Sequence, residues 1–315
     1  MLSRVFMVVN HVASQLIYRW FSAPLFFYQY EHSFFGQNLS LSNISLRDWK
    51  EFIKEMGSLF PRFVPGINLY LKRVEANISI LSKAIYEHVH FCNDKGISYV
   101  TLADPDYPEL LKMIPDPPLA LTISGDVSLL KKRMIAVIGS RKASGFAIKE
   151  SFELGRGLTE KGFSIVSGGA YGCDIAVHQG VLEGCKKANR AIVPAVIVFA
   201  GGLQEFYPKG NRVSFSYLKD GKAAFISERL WNAQAKPVDF PVRNRIISGL
   251  CDSIVVMQAG ENSGAIITAR CALDQGRDVA VLIHPENDVR SLGGNQLIKD
   301  GAHSFSSAED LLEAM

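Results

Sequence analysis

Residues 134–138 are five consecutive apolar positions, Met-Ile-Ala-Val-Ile, that run directly into Gly139-Ser140-Arg141. An unbroken apolar run of that length reads as a strand covered on both faces, the position strands occupy in a parallel sheet. Gly139 permits a sharp turn, and residues 146–161 follow with Phe146, Phe152, Leu154 and Leu158 at helical spacing. Strand, glycine turn and helix form the unit whose open backbone N–H groups and positive dipole end face an anion. Arg141 adds a permanent cation with bidentate reach at the same turn. Taken alone, the motif is equally compatible with an ordinary βα connection that carries a surface arginine.

The pattern then repeats. Strands are predicted at 134–138, 163–166, 192–199, 223–226, 253–257 and 278–283. Helices are predicted near 146–161, 173–184, 241–249 and 264–275, with a last one at 307–314 behind an N-cap Ser307. Such alternation predicts a doubly wound, mostly parallel α/β sheet in residues 131–315, with ligands at the carboxyl ends of its strands. Residues 1–95 read as a small all-α domain, for example through Trp49, Phe52, Ile53, Met56 and Phe60. His88 and His90 are two apart, poor geometry for a shared metal, and read as packing or surface residues. Residues 96–130 hold the prolines of Asp104-Pro-Asp106-Tyr-Pro108 and Pro115-Asp-Pro-Pro118, and are expected to form a stiff strap.

Composition narrows the classes of function. Five cysteines, with no CxxC pair, fit a reducing cytoplasm and argue against a zinc ribbon or a disulfide scaffold. The apolar N-terminus is interrupted by His11, Gln15 and Arg19 before it reaches a spanning length, so neither a membrane segment nor a signal peptide is expected. Charge is unevenly spread. Residues 131–250 carry 19 Lys+Arg against 9 Asp+Glu, and residues 251–315 carry 4 against 10. The basic block suggests an anionic ligand, and the acidic end a different partner or a subunit contact.

The ends of the predicted strands carry the candidate site. The second ends in Ser167-Gly168-Gly169-Ala170-Tyr171-Gly172-Cys173-Asp174, where glycines allow close approach to the backbone. Asp174 and His178, four apart, read as a helix cap and a packed histidine. The third ends before Tyr207-Pro208-Lys209, with Arg212 three residues further on. Arg243 and Arg245 fall in the first turns of a helix that opens near Pro241. They offer phosphate forks, with Glu228 as an alternative structural mate for one of them. Ser263-Gly264 opens a further helix with small residues. Hydride transfer is disfavoured, because no G-x-G-x-x-G follows the first strand and no acidic residue ends the second. Serine or cysteine nucleophile chemistry also lacks its motifs, and Cys173 lacks an activating constellation.

Together these residues resemble the DprA/Smf family of DNA-processing proteins. The match runs through Gly139-Ser-Arg141, Ser167-Gly-Gly-Ala170, Gly172-x-Asp174, Tyr207-Pro208, Asn211, Phe240-Pro-x-Arg-Asn-Arg245, Ile247-Ser-Gly-Leu250, Ser263-Gly264 and Gly276-Arg277. The resemblance covers about residues 96–305 and implies an extended Rossmann-like domain that binds single-stranded DNA without chemistry. It further implies protection of incoming DNA in natural transformation, loading of the RecA recombinase and a homodimer formed through this domain. The DNA site it implies comprises Gly139, Ser140, Arg141, Ser167, Gly168, Gly169, Ala170 and Lys209. Arg243, Arg245, Ser263 and Gly264 are added as neighbours; no cofactor or metal is expected.

This chain departs from the family's pattern in places. Cys173 stands in place of the usual aliphatic residue, residues 185–195 exceed the family's tight turn, and His284-Pro285-Glu286 replaces the usual Pro-Gly. Residues 1–73 match poorly, and the winged-helix tail of some members is not expected. The alternative function is a nucleotide-binding module or phosphoribohydrolase on a related fold. Such an enzyme would need a carboxylate where Ala269 and Arg270 stand, and Glu261 is displaced from that place.

Overall fold

The computed structural model describes residues 87–102, 104–118, 120–285 and 287–315; the helices expected before residue 87 lie outside the described residues. Nine strands form one sheet: β1 (Ser98–Thr101), β2 (Ala120–Ser124), β3 (Met134–Ile138), β4 (Ser164–Ser167), β5 (Ala195–Phe199), β6 (Ala224–Ser227), β7 (Ser253–Val256), β8 (Asp278–Leu282) and β9 (His303–Phe305). Their spatial order is β1-β2-β6-β5-β4-β3-β7-β8-β9. From β6 through to β9 every pair is parallel, whereas β1 and β2 are antiparallel to each other and β2 is antiparallel to β6. The chain moves outward from β3 through β6, then returns to the other flank of β3 for β7. That reversal opens the crevice in which ligands of doubly wound sheets bind.

The helices are α1 (87–95), α2 (Glu109–Lys112), α3 (Gly145–Glu160), α4 (Cys173–Lys187), α5 (Arg212–Asp220), α6 (Asp239–Gly249), α7 (Gly264–Asp274), α8 (Leu292–Lys299) and α9 (Ala308–Ala314). Two apolar layers hold them to the sheet. Ile135, Val137, Ile165 and Ile197 face α3, α4 and α5, which contribute Leu154, Leu158, Val177 and Phe215. Ala136, Ile138, Val166 and Val198 point to the opposite face, toward Ile246 and Ile247 of α6 and Ile266 and Ala269 of α7. Alternate residues of each central strand therefore serve opposite cores, which is why these strands lack polar alternation.

The proline-rich segment expected as a strap instead belongs to the sheet, since it carries β1 and β2. Ala120, Leu121 and Ile123 of β2 are buried, with Thr122 between them, in a chain stretch whose prolines mask its strand pattern. The segment is also clamped from below. Tyr107 Oη donates to Pro118 O at 2.6 Å, and Arg277 donates to Leu110 O at 2.9 Å. Helix α5, helix α8 and strand β9 were not anticipated; each is short, of nine, eight and three residues. Ser307 does cap α9, accepting from Asp310 N. Pro241 occupies the third position of α6 rather than the first.

Helices α3 and α4 approach through glycine. A Cβ on Gly180 would strike the Phe152 carbonyl, and one on Gly155 would strike Val177 O. Gly180→Ala is therefore expected to lower stability by about 2 kcal/mol, outweighing the helix-propensity gain of about 1 kcal/mol. Urea denaturation of the purified variant measures it, and an unchanged midpoint would refute the close packing.

Candidate functional site

At the carboxyl edge, the turn after β3 and the loop after β4 are drawn together by one buried carboxylate. Asp174, in the first turn of α4, accepts from Gly168 N at 3.1 Å and Ala170 N at 3.3 Å, with the Gly139 amide directed at it as well. Burial raises its carboxyl above the usual range, held back by Arg243 and these amides. The amides expected to be bare for a phosphate are thus occupied by the protein's own acid. Asp174 and His178 do not pair with each other. His178 meets Ser167 Oγ at 2.8 Å, so Ser167, fully buried, is a structural residue and not a contact surface. Gly169 packs inward with φ +63 against Ile197 and Phe215.

The two arginines of α6 behave differently. Arg245 forms a bidentate pair with Glu228, at 2.7 and 2.9 Å, and its Nε donates to Asp116 O at 2.9 Å. Burial weakens its charged form, but Glu228 and Asp116 more than compensate and drive its pKa upward. The expected phosphate fork at Arg245 is therefore corrected: its guanidinium is committed to Glu228, the mate foreseen for one of the pair. Arg243 reaches the other way, donating to Val198 O and to Gly168 O across the ends of β5 and β4, and to Asn244 Oδ1. Desolvation lowers its pKa to about 10, Asp174 opposing the shift and Arg141 adding to it.

Beyond that knot lies a cavity of about 360 Å³. Of the predicted site, Arg141, Gly168, Ala170, Lys209 and Arg243 line it. Gly139, Ser140, Ser167, Gly169, Arg245, Ser263 and Gly264 do not. Ser140 O instead accepts from Cys173 N, and Ser263 caps α7. The exposed Arg141 guanidinium lies 5.3 Å from the centre of the Phe240 ring, with Arg243 at 6.0 Å from the same ring. Tyr207 meets Phe240 edge-on at 5.8 Å, and Tyr171 and Phe206 complete an aromatic lining. Lys209 Nζ stands at the rim, 3.8 Å from the equally exposed Glu205. A cavity of this size, walled by ring faces and edged by cations, suits a flat aromatic ligand bearing negative charge.

Its far wall, Trp231 to Ala235, was not foreseen from the sequence. Gly202 N donates to Ala233 O and Gln204 N to Trp231 O, so the wall is laced to the end of β5. Helix α1 braces it from behind. Phe91 stacks on Trp231 at 4.3 Å, and His88 Nδ1 accepts from Trp231 N at 3.0 Å. A backbone amide can only donate, so His88 Nδ1 carries no proton; Nε2 then donates to Thr122 Oγ1 at 3.1 Å. Cys173 is buried and desolvation pushes its thiol up to about 12, which removes it as a nucleophile. No cluster of three metal-ligating side chains occurs among the described residues.

The family model for DNA recombination-mediator protein A matches residues 98–315. The DNA processing protein DprA of Bacillus subtilis is 35% identical over 223 residues, covering 70% of this chain and 72% of its own. DprA of Streptococcus pneumoniae is 36% identical over 212 residues, 67% of this chain and 72% of its own. The X-ray structure of the Streptococcus pneumoniae protein superposes with a TM-score of 0.70 at 28% identity, covering 96% of this chain and 97% of that one. A Helicobacter pylori DprA structure, described as giving insight into its single-stranded DNA binding mode, superposes at 0.61 with 26% identity over 70% of this chain and 96% of its own.

His88 is held neutral by burial, its pKa lowered to about 4, while the unfolded side chain titrates near 6.5. Between those values the unfolded chain binds a proton that the folded one refuses, so stability falls as pH drops from 6.5 toward 4. From pH 6.5 to 5 this loss amounts to about 1–2 kcal/mol. Comparing denaturation midpoints across that range should show a shallower fall in His88→Gln than in the parent; equal slopes would contradict the neutral brace.

Proposed function

Because the chain belongs to the DNA recombination-mediator protein A (DprA/Smf) family, we propose that it binds single-stranded DNA in the cavity at the carboxyl edge of its sheet. The observation that carries this reading is the convergence of Arg141, Lys209 and the exposed rings of Tyr171 and Tyr207 on one cavity. Bases stack on rings whatever their identity, and cations at the rim meet the phosphates, the combination that sequence-independent single-strand binding requires. Arg141, Gly168, Ala170 and Lys209 are the contact residues of this reading, joined by Tyr171, Tyr207 and Phe240. Arg243 shapes the floor. Binding without chemistry fits the lining, whose single carboxylate is the solvent-exposed Glu205.

The same reading extends to the cell: protection of incoming single strands in the cytoplasm and delivery of them to the RecA recombinase during transformation. A homodimer through the sheet domain is supported by apolar side chains left in solvent near the ends of β3 and β8. Phe146 lies edge-on to His284 at 5.5 Å, and Ile283, Val289 and Leu292 are exposed nearby in the chain. Gln258 fastens this region, bonding Ser144, Asp288 and Ser291 together.

Anisotropy titrations of the full chain with a short single-stranded oligonucleotide test the cavity. Arg141→Ala combined with Lys209→Ala should weaken binding at least tenfold, about 1.4 kcal/mol, and flatten the salt dependence by about 1.4 in log–log slope. Arg245→Lys should leave that slope alone and lower stability instead, because its guanidinium serves a buried pair. Binding that ignores salt, or survives the double substitution, would remove the proposal.

A further inference from the structure

The basic block is only partly used by the cavity, and five further cations gather at the opposite edge of the sheet. Helices α4 and α5 follow β4 and β5, which are parallel neighbours, so both helices end at the amino edge. The pair is joined along its length by Gln179 Nε2 donating to Ser214 Oγ at 3.4 Å, and at its end by Val193 N donating to Gly221 O at 2.9 Å. Both terminal turns are ordered. Asn189 and Lys222 take φ 48 and φ 60, and the amides of Arg190 and Ala223 close back onto Cys185 O and Leu218 O at 3.0 and 2.9 Å. Two rigid loops are thereby fixed side by side.

Lys186 and Lys187 lie in the last turn of α4 with Arg190 on the loop after it, Lys219 lies in the last turn of α5 with Lys222 on the loop after it, and all five are exposed. Among the described residues none of them forms an ion pair. Glu183 lies close enough to Arg156 of α3 to favour its charge, and Asp220 is the carboxylate at the end of α5. Cations in a last helical turn answer the dipole, and that accounts for part of the arrangement. Two helix ends and Asp220 together amount to about two negative charges, fewer than the five cations present. The first loop falls in residues 185–195, the stretch read from the sequence as longer than the family's turn.

We propose that this edge is a second phosphate-backbone surface, engaged by a single strand long enough to continue past the cavity. The proposal rests on the DNA-binding reading above and adds a site remote from it. Helix α4 separates the two by roughly 22 Å along its axis, so a strand confined to the cavity does not reach the edge and a long one does. Neutral stretches of protein would offer no such grip; five cations at ordered helix ends, without ion pairs among the described residues, displace counterions from a polyanion with little reorganisation.

The test uses the full chain, with oligothymidylates of about 6 and about 40 nucleotides titrated across a range of salt. In the variant Lys186→Gln, Lys187→Gln, Lys219→Gln, the long strand should lose about 2 units of log–log salt slope and bind about tenfold more weakly at low salt. The short strand should bind as before. Arg141→Ala should weaken the short strand, which separates failure at the cavity from failure at the edge. An unaltered slope and affinity for the long strand in the triple variant would overturn the proposal. So would salt-sensitive self-association in its place, which would mark the edge as a protein contact. Circular dichroism of the variant, expected to melt with the parent, excludes misfolding as the source of any loss.

Discussion

The carboxyl edge of the sheet depends on one carboxylate placed among backbone donors. Asp174 holds the amides of the loop after β4 and the turn after β3, and Arg243 ties the same loop, through Gly168 O, to Val198 O of β5. Neither group would be tolerated alone at that depth, since an unpaired buried charge is far more costly than a paired one. Their mutual proximity, with the amides, makes the knot stable and gives the cavity a rigid floor. It also means that the negative charge a phosphate would bring to those amides is already present. Outside the knot, Arg141 and Lys209 keep water-facing positions.

Two arginines separated by one residue illustrate how position on a helix decides chemistry. Arg243 and Arg245 lie on different sides of α6, one aimed at the strand ends and the other at Glu228 and Asp116. Both are buried, but only Arg245 has carboxylates within bonding reach, and the two guanidinium groups accordingly shift in opposite directions. A string of basic residues in sequence is thus not a basic patch in space. The same contrast, reversed, holds for Lys186 to Arg190 and Lys219 to Lys222, which are more than twenty residues apart in the chain and adjacent on the surface.

The parallel core was legible because each central strand feeds two apolar layers and so appears as an unbroken hydrophobic run, with glycine at its carboxyl end. β3 was read at its observed limits for that reason. Strands β1 and β2 were hidden, since prolines between them suggest extended, unpaired chain, and pairing with a strand far along the sequence leaves no local trace. Arg141 and Lys209 were legible as cations beside strand ends, and the family resemblance put both in the site whose cavity they line. Ser167 and Arg245 could not be removed from it, because whether a polar side chain turns inward depends on partners such as His178 and Glu228. The aromatic lining left a faint signal in Tyr207-Pro208 and Phe240-Pro241; Trp231 left none, because its role follows from α1 stacking behind it.

The pairing of β2 with β6 joins Thr122 to Ser227, more than a hundred residues further along. During synthesis the hairpin of β1 and β2 emerges first, yet its partner strand is made only after β3, β4 and β5. One flank of that hairpin therefore stays open while about a hundred further residues are made, with Leu121 and Ile123 lacking the neighbours that cover them in the finished sheet. Until β6 pairs with it, β2 presents an open strand edge, the kind of surface through which incomplete chains associate.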